Sequence, residues 1–153
     1  MLGPVIEGER IRLEPPRPEY LPAYVRWDQS NVLWAIVART SGRLVGNTAL
    51  EKINWRDRRA ESGIVIGEKE EWGKGYAGEA MRLRTRYAFR ELALNKVVTT
   101  VYGGNEASRR ALERAGYRQC GTYRRHVLID GQWHDVWIGE ILRDDWEAQE
   151  GHA

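Results

Sequence analysis

The spacing at which apolar residues recur changes near the middle of the chain, and this change constrains the fold more than any other feature. Three stretches alternate in the manner of β-strands, namely Trp34–Arg39, Leu44–Asn54 and Ala60–Ile66. From Gly75 to Leu92 the apolar residues recur instead at helical spacings. Because a glycine-rich turn separates the two patterns, we expect an antiparallel meander that is followed directly by a helix.

The other segments complete an α+β pattern. They predict a short strand at Gly8–Pro15, a helix at Pro18–Trp27 and a further strand at Lys96–Tyr102. A short helix follows at Glu106–Ala115, with Asn105 as N-cap and Gly116 as C-cap. The last element is a hairpin of Tyr117–Ile129 and Gln132–Leu142 that turns at Asp130-Gly131. We therefore expect one domain over residues 1–153, with a mixed, mostly antiparallel twisted sheet and flanking helices.

Composition excludes several classes of protein. The 153 residues are 42% hydrophobic and 30% charged, and 24 basic against 22 acidic residues leave a net charge of +2, too balanced to indicate nucleic-acid binding. No apolar stretch approaches the ~18 residues of a membrane span. The single cysteine, Cys120, excludes an internal disulfide framework, and three histidines without a cysteine cluster argue against a structural zinc site. We expect a cytoplasmic protein without metal, with no membrane or nucleic-acid partner.

The glycine-rich turn, residues 71–80 (EWGKGYAGEA), is the most informative segment for function. Glycines permit a tight turn and let the main chain approach a ligand closely. The first N–H groups of the following helix favour an anion such as phosphate, and Lys74 could add a positive charge. A loop that only caps the helix is the plain structural alternative.

Three phosphate-binding interpretations compete for this turn. Gly73, Gly75 and Gly78 spell the G-x-G-x-x-G dinucleotide fingerprint, which would make the protein a nucleotide-dependent oxidoreductase. That fingerprint requires its first glycine directly after a parallel strand, and here the charged loop Gly67–Glu71 intervenes. The Walker loop needs Ser or Thr where Gly75 stands. The third interpretation is a pyrophosphate site for coenzyme A.

These residues resemble the GNAT superfamily of acyl-CoA N-acyltransferases. Members of that superfamily carry an R/Q-x-x-G-x-G/A loop, and Trp72–Ala77 fits this pattern with Trp at the first position. An aromatic residue there, followed by GKGYAGEA, is similar to the branch that includes the ribosomal-protein N-terminal acetyltransferases. The resemblance continues in order through segments spread over nearly the whole chain: Gly8–Leu13, Ile64–Gly67, Asn105–Arg109, Glu113–Tyr117 and Asp130–Asp135.

The resemblance implies a fold in which the family's fourth and fifth strands splay apart and the pantetheine arm of acetyl-CoA lies in the gap. The main chain of the fourth strand, the amides of the glycine-rich turn and the asparagine after the fifth strand would contact the cofactor, which implies Ile64, Val65, Ile66, Trp72, Gly73, Lys74, Gly75, Tyr76, Ala77, Gly78 and Asn105. The family's tyrosine general acid would fall at Leu112 and is absent here. Ser108 matches a serine that some members of the branch use instead, and its structural alternative is a first-turn serine that contacts helix backbone.

Acylation of an amine requires a group that takes a proton from the nitrogen, because a typical amine is mostly protonated at neutral pH. Glu61 is the first candidate, because it lies on the predicted strand just before the gap, and Glu51 on the preceding strand is the second. A solvated strand glutamate is the alternative for both.

The predicted hairpin offers a further candidate for binding of the substrate amine. A two-residue turn at Asp130-Gly131 sets His126 opposite Asp135, where the carboxylate would favour the imidazolium. An exposed cross-strand pair of little energetic consequence is the alternative. On a regular strand, Cys120 and His126 would lie about 20 Å apart, too far for a nucleophile and its base. We therefore expect a buried structural thiol and direct acetyl transfer.

We expect an acetyl-CoA-dependent N-acetyltransferase that acts on a primary amine, either a protein or peptide N-terminus or a small molecule. A non-catalytic acyl-CoA-binding module and the oxidoreductase remain as alternatives. Most tryptophans are expected in the core, while Trp55, Trp133 and Trp137 could line an acceptor pocket or a homodimer contact. Only Asp28–Leu33 separates the predicted helix from the next strand, too little for the second helix usual in the family.

Overall fold

The computed structural model describes residues 3–15, 31–67 and 69–151. Within these ranges the chain forms eight strands, a 3₁₀ turn at Lys69–Glu71 and three α-helices. The strands are β1 (Ile6–Glu7), β2 (Ile11–Glu14), β3 (Val32–Ala38), β4 (Leu44–Asn54), β5 (Arg59–Ile66), β6 (Lys96–Tyr102), β7 (Arg118–Ile129) and β8 (Gln132–Leu142), and the helices are α1 (Tyr76–Arg90), α2 (Glu106–Arg114) and α3 (Arg143–Glu150).

One sheet contains all eight strands, in the order β1-β2-β3-β4-β5-β6-β8-β7. Every neighbouring pair is antiparallel except β5 and β6, which run parallel. Parallel strands need a crossover connection, and α1 supplies it here. The α+β class with a mixed, mostly antiparallel sheet is therefore confirmed.

The core packs α1 against one face of the sheet. All of β3 is buried, and α1 contributes a stripe that includes Ala80, Met81, Ala88 and Phe89. The Trp34 ring meets Tyr87 edge-on with centroids 5.2 Å apart. Because this packing fixes the axis of α1, it also fixes where the first turn of the helix lies, just beyond the end of β5.

The bounds differ from the predicted ones mainly at the ends of the elements. The first predicted strand is confined to Ile11–Glu14, and Asn105 caps α2 as predicted, accepting the N–H of Ser108 at 3.1 Å. The sequence did not predict α3, because its N-cap, Leu142, makes no side-chain cap and leaves no start signal. The predicted helix at Pro18–Trp27 and residues 28–30 lie outside the described residues.

Candidate active site

The parallel ladder between β5 and β6 ends halfway along the two strands. Its pairs run from Arg59–Lys96 to Ser62–Thr99, and no pair follows them. The last pair is held on both sides, because Thr99 Oγ1 donates to the Ser62 carbonyl at 3.1 Å and Ser62 Oγ donates to the Val98 carbonyl at 3.3 Å. Beyond this point, residues 63–66 and 100–102 diverge and leave a gap. The predicted splay of these two strands is confirmed.

Backbone alternation determines which main-chain groups of β5 face the gap. The N–H of Gly67 donates to the Val45 carbonyl at 3.0 Å. In an antiparallel ladder, residues that bond the neighbouring strand recur at every second position, so Val65 also bonds β4. The main-chain groups of Ile64 and Ile66 therefore point away from β4, into the gap. They form an edge that can hydrogen-bond an extended ligand.

The glycine-rich turn places unpaired N–H groups at the end of this gap. Gly73 and Gly75 have φ of 77° and 84°, a region that glycine adopts at little cost. Gly75 is the N-cap of α1 without a side-chain cap, and the N–H of Glu79 donates to its carbonyl at 3.1 Å. The N–H groups of residues 76–78 precede that bond and point outward, as a phosphate group requires.

Arg10 and Trp72 hold the turn in place. Arg10 Nη1 donates to the Lys74 carbonyl at 2.9 Å, and the Glu79 carboxylate accepts the backbone N–H of Arg10 at 3.1 Å. The exposed Trp72 ring donates from Nε1 to the Ile66 carbonyl at 3.2 Å, which ties the turn to the end of β5. These contacts bring the turn and the gap edge into one continuous surface.

Lys74 does not present a free positive charge in this arrangement. Its Nζ lies 2.8 Å from Glu71 Oε2, and this hydrogen bond raises the pKa of the ammonium. Arg10, in contrast, contacts the turn directly through the Lys74 carbonyl. A ligand phosphate would therefore meet the helix amides first and Lys74 only after displacement of Glu71.

The two candidate bases face each other across β4 and β5. Glu51 and Glu61 form a directly opposed pair in the ladder, which is unfavourable for two like charges. Lys52 Nζ lies 2.9 Å from Glu61 Oε2, and the hydrogen bond to Glu61 and its charge raise the pKa of Lys52. Glu51 Oε2 lies over Gly63, 3.7 Å from the position that a Cβ would take there. Both carboxylates therefore lie close to the point where β5 and β6 begin to part.

On the other side of the gap, the start of α2 carries Asn105 and Ser108. Asn105 is exposed and Ser108 is half-buried, and the Asn105 side chain uses its oxygen to cap the helix. Leu112, at the position of the family's tyrosine, is 2% exposed and belongs to the core. A hydroxyl that could donate to a leaving thiolate is therefore absent at position 112, and Ser108 stays the candidate for the general acid.

The predicted pairing of His126 with Asp135 is wrong. The ladder passes from Val127–His134 to Tyr123–Val136, so a bulge inserts residues 124–126 opposite a single residue of β8. Arg125, at the centre of this bulge, has φ of 47°, and its N–H donates to Asp135 Oδ1 at 2.8 Å. His126 stacks on Tyr123 instead, with ring centroids 4.8 Å apart. The turn chemistry was correct, but the sequence carries no clear signal for the bulge.

The expectation of a buried Cys120 is also wrong. The residue is exposed, because it lies in a second bulge between Gln119 and Gly121 and is left out of the ladder. Local desolvation, followed by the charge of Glu140, raises the pKa of its thiol. A thiol with a raised pKa is a poor nucleophile at neutral pH, which agrees with direct acetyl transfer.

The tryptophans divide between core and surface. Trp34, Trp137 and Trp146 are buried, whereas Trp55, Trp72 and Trp133 are at least 50% exposed. Trp27 lies outside the described residues. Trp137 lines an open cavity of about 270 Å³ that also includes Asn105 and Asp135, and its indole N–H has no hydrogen-bond partner among the described residues.

Two site features were missed from the sequence. Lys52 has φ of 50° in a strand whose pairing shifts between Glu51 and Asn54, a distortion that no local motif announces. Arg84 is fully buried on α1 beneath β5. Its signal was present, because Ala80, Arg84 and Ala88 follow each other at helical spacing on the buried stripe.

Within residues 3–15, 31–67 and 69–151, no group of three or more His, Cys, Asp or Glu side chains is arranged to hold a metal ion. None of the helices described is long and apolar enough to cross a membrane.

Comparison with known proteins agrees with this geometry. A family model described as the acetyltransferase (GNAT) domain matches residues 12–118. The chain belongs to this family. GNAT enzymes use acetyl-CoA as co-substrate, which fits the unpaired amides of the turn and the parted strands and leaves no role for the dinucleotide interpretation.

Individual relatives carry related names. YjcK of Bacillus subtilis (strain 168) is 34% identical over 143 residues, which cover 92% of this chain and 74% of YjcK. The ribosomal protein uS5 alanine N-acetyltransferase of Escherichia coli (strain K12) is 32% identical over 84 residues, 55% of this chain and 43% of that enzyme. The similarity to the ribosomal-protein branch is therefore confirmed.

A solved structure of the spermidine/spermine N-acetyltransferase SpeG from Vibrio cholerae, in complex with manganese ions, superposes with a TM-score of 0.73 and 26% identity, over 80% of this chain and 71% of that one. The chain spans less than two thirds of several curated relatives, 58% of one that is 36% identical.

Proposed function

We propose that the protein transfers an acetyl group from acetyl-CoA to a primary amine, with the acceptor either a protein or peptide N-terminus or a small molecule. The observation that carries this proposal is the gap between β5 and β6, which ends at the unpaired amides of α1. The names of the relatives support the reaction class. They include one enzyme that acts on a ribosomal protein and one that acts on spermidine and spermine.

Acetyl-CoA would bind along one continuous surface. The amides of residues 73–78 would hold the pyrophosphate, and the main-chain groups of Ile64 and Ile66 would hydrogen-bond the pantetheine amides as an added strand does. Trp72 and Asn105 would border this path at its two ends. The open space around Gly73, where a Cβ would meet no atom within 4 Å, leaves room for the phosphates.

We propose Glu61 as the general base. The Lys52 ammonium that Glu61 holds at 2.9 Å supports this assignment, because the acceptor amine has the same chemistry and could take its place. Glu51 would add a second negative charge that attracts the protonated acceptor. Together the two carboxylates would bind an ammonium and then remove its proton.

The reaction would be a direct transfer. Once Glu61 has taken a proton, the nitrogen lone pair attacks the thioester carbonyl carbon and the new C–N bond forms. As the tetrahedral intermediate collapses, the C–S bond breaks and coenzyme A leaves as the thiolate. The second proton lost by the nitrogen passes to solvent or to the thiolate. We propose Ser108 as the hydroxyl that donates a hydrogen bond to this leaving thiolate.

We propose that the distal part of the acceptor binds in the cavity at the start of α2. Trp137 supports this, because it lines the cavity and can pack against an apolar part of the acceptor. Asp135 lies in the same cavity and, despite its bond to Arg125, keeps one oxygen for a polar acceptor. His126 is not among the residues that line this cavity, and its ring stacks on Tyr123 instead.

A release assay for free thiol tests the proposal. The protein is incubated with acetyl-CoA and a panel that contains spermidine, simple primary amines and peptides with N-terminal alanine or serine. We expect amine-dependent thiol release and a product that is heavier by one acetyl group for at least one class. Saturable binding of acetyl-CoA with no thiol release for any acceptor would contradict catalysis. It would favour the non-catalytic acyl-CoA-binding module, with which Leu112 at the position of the family's tyrosine is compatible.

A further inference from the structure

Arg84 is a fully buried arginine without a carboxylate partner among the described residues. Its exposure is 0%, and two of its three side-chain nitrogens, Nε and Nη2, make no hydrogen bond. A buried cation that is not paired is costly, and an apolar residue at this position of α1 would continue the core stripe. The packing of the core therefore does not account for the charge.

The third nitrogen of Arg84 has a specific partner. Nη1 donates to the Gly63 carbonyl at 2.8 Å and to Thr48 Oγ1 at 2.7 Å, and Thr48 Oγ1 donates to the same Gly63 carbonyl at 2.9 Å. Gly63 is the first residue of β5 beyond the ladder with β6. A buried positive charge and a hydroxyl thus converge on one carbonyl at the point where the strands part.

The other end of the same peptide unit faces the gap. The peptide that follows Gly63 is planar and trans, so its C=O and the N–H of Ile64 point in opposite directions. Since Arg84 and Thr48 hold the carbonyl on one side, the Ile64 N–H is directed to the other. Because the ladder ends at Ser62–Thr99, this N–H is the first main-chain donor on that edge which β6 does not accept.

Charge at the carbonyl changes the strength of the donor. A charge-assisted hydrogen bond to C=O draws electron density from the peptide and makes its N–H a better donor, and linked hydrogen bonds strengthen each other. The effect is larger in a buried site of low dielectric constant than in water. Arg84 can therefore act at the gap without any contact with the ligand.

We propose that Arg84 is a positioning residue that orients and polarises the peptide between Gly63 and Ile64, so that the Ile64 N–H stabilises the negative charge on the acetyl carbonyl oxygen during attack. This inference rests on the proposed acetyl transfer. Thr48 shares the task by fixing the same carbonyl. The substrate class it serves is an acyl thioester, whose oxygen becomes an oxyanion in the tetrahedral intermediate.

Paired substitutions on α1 provide the test. Arg84→Met keeps the side-chain length and removes the charge, Arg84→Lys keeps the charge, and Arg86→Met is the control because Arg86 is exposed on the same helix. The turnover number, KM for acetyl-CoA and melting temperature are measured. The carbonyl stretch of bound acetyl-CoA, isotopically labelled at the acetyl carbonyl, is recorded by infrared difference spectroscopy without an acceptor.

We expect Arg84→Met to lower kcat about 10- to 100-fold, less than the loss of a direct oxyanion donor, while KM changes little. The carbonyl stretch should move to higher wavenumber, Arg84→Lys should recover part of kcat, and Arg86→Met should match the wild type. The melting temperature of Arg84→Met should not fall. If that variant does not fold, kcat and the carbonyl stretch are measured for Arg84→Lys and Thr48→Val, which keep the buried cation.

The outcomes separate the two proposals. No thiol release by the wild type with any acceptor would overturn the proposed function itself. An active wild type with an unchanged carbonyl stretch in Arg84→Met would overturn the role of Arg84 alone, whether or not kcat falls, because a structural role predicts no spectroscopic change. A loss of kcat that Arg84→Lys does not relieve would also contradict it.

Discussion

The two halves of β5 belong to one continuous strand and yet differ in how they are paired with β6. In the half from Arg59 to Ser62, each strand uses the other as its hydrogen-bond partner. In the half from Gly63 to Ile66, β5 keeps β4 on one side, and its other edge is not paired with β6. In the proposed function, the sheet would therefore create a ligand site by ending a ladder early rather than by adding a loop.

The polar groups around the two halves differ in the same sense. In the paired half, Ser62 and Thr99 direct their hydroxyls at carbonyls of the opposite strand and fasten the last pair. In the parted half, Arg84 takes the carbonyl of Gly63 from beneath the sheet, and the opposite edge stays open. Substitutions should therefore affect activity most at the junction of the two halves and least far from the parted edge.

Loss of Glu61, the proposed base at this junction, should have the largest effect. We expect Glu61→Gln to lower kcat/KM at neutral pH about 100- to 10,000-fold, the usual contribution of a general base, with little change in the affinity for acetyl-CoA. Glu91→Gln, at an exposed glutamate of the α1 end, is the control. A Glu61→Gln variant with wild-type kcat/KM, alongside a deficient Glu51→Gln, would transfer the role to Glu51.

The turn beyond the parted half should be sensitive to glycine replacement. We expect Gly73→Ala to raise KM for acetyl-CoA about 5- to 30-fold, because alanine at φ of 77° costs about 1–2 kcal/mol and the turn would distort. Gly67→Ala is a matched control, since a Cβ at either glycine meets no atom within 4 Å and Gly67 lacks a positive φ. Equal KM values for the two variants, measured by thiol release, would argue against phosphate binding at the turn.

Ser108 should have a smaller effect. A thiolate with a solution pKa near 8.5 is a tolerable leaving group, so a hydroxyl donor helps only modestly. We expect Ser108→Ala to lower kcat less than about tenfold at neutral pH. Ser41→Ala, in an exposed turn, controls for the substitution. A loss as large as that of Glu61→Gln would show that thiolate departure limits the rate.

Cys120 should have almost no effect on activity. Cys120→Ser should keep the wild-type kcat, because the proposed transfer has no acetyl-cysteine intermediate. The raised pKa of the thiol lowers its thiolate fraction at mildly alkaline pH, so iodoacetamide should alkylate it more slowly than free cysteine under the same conditions. Alkylation that abolishes thiol release, or an acetylated Cys120 in mass spectra, would contradict direct transfer.

Sequence reasoning performed best where a single local signal decides the structure. The Asn105 cap, the Asp130-Gly131 turn and the change of period at the glycine-rich turn all predicted elements that the structure contains. The order of elements came from the residue patterns, whereas the splay came from the family resemblance. None of these required knowledge of which groups meet across the sheet.

It failed where tertiary contacts decide. The bulge at residues 124–126, where Arg125 has a positive φ, changed the register, so that His126 does not pair with Asp135. The ion pair of Lys52 with Glu61 depends on a second such distortion. Arg84 lay on the apolar stripe of a correctly predicted helix, but its target, the Gly63 carbonyl, is distant in sequence.

A titration of 15N-labelled protein with coenzyme A would decide whether the parted half is the binding edge, because it reports each amide separately. We expect large shifts for the amides of Ile64, Ile66 and residues 73–78, and small ones for residues 59–62 in the paired half. Saturable binding that leaves the first group unchanged, or that shifts the paired half instead, would contradict binding of the cofactor in the gap.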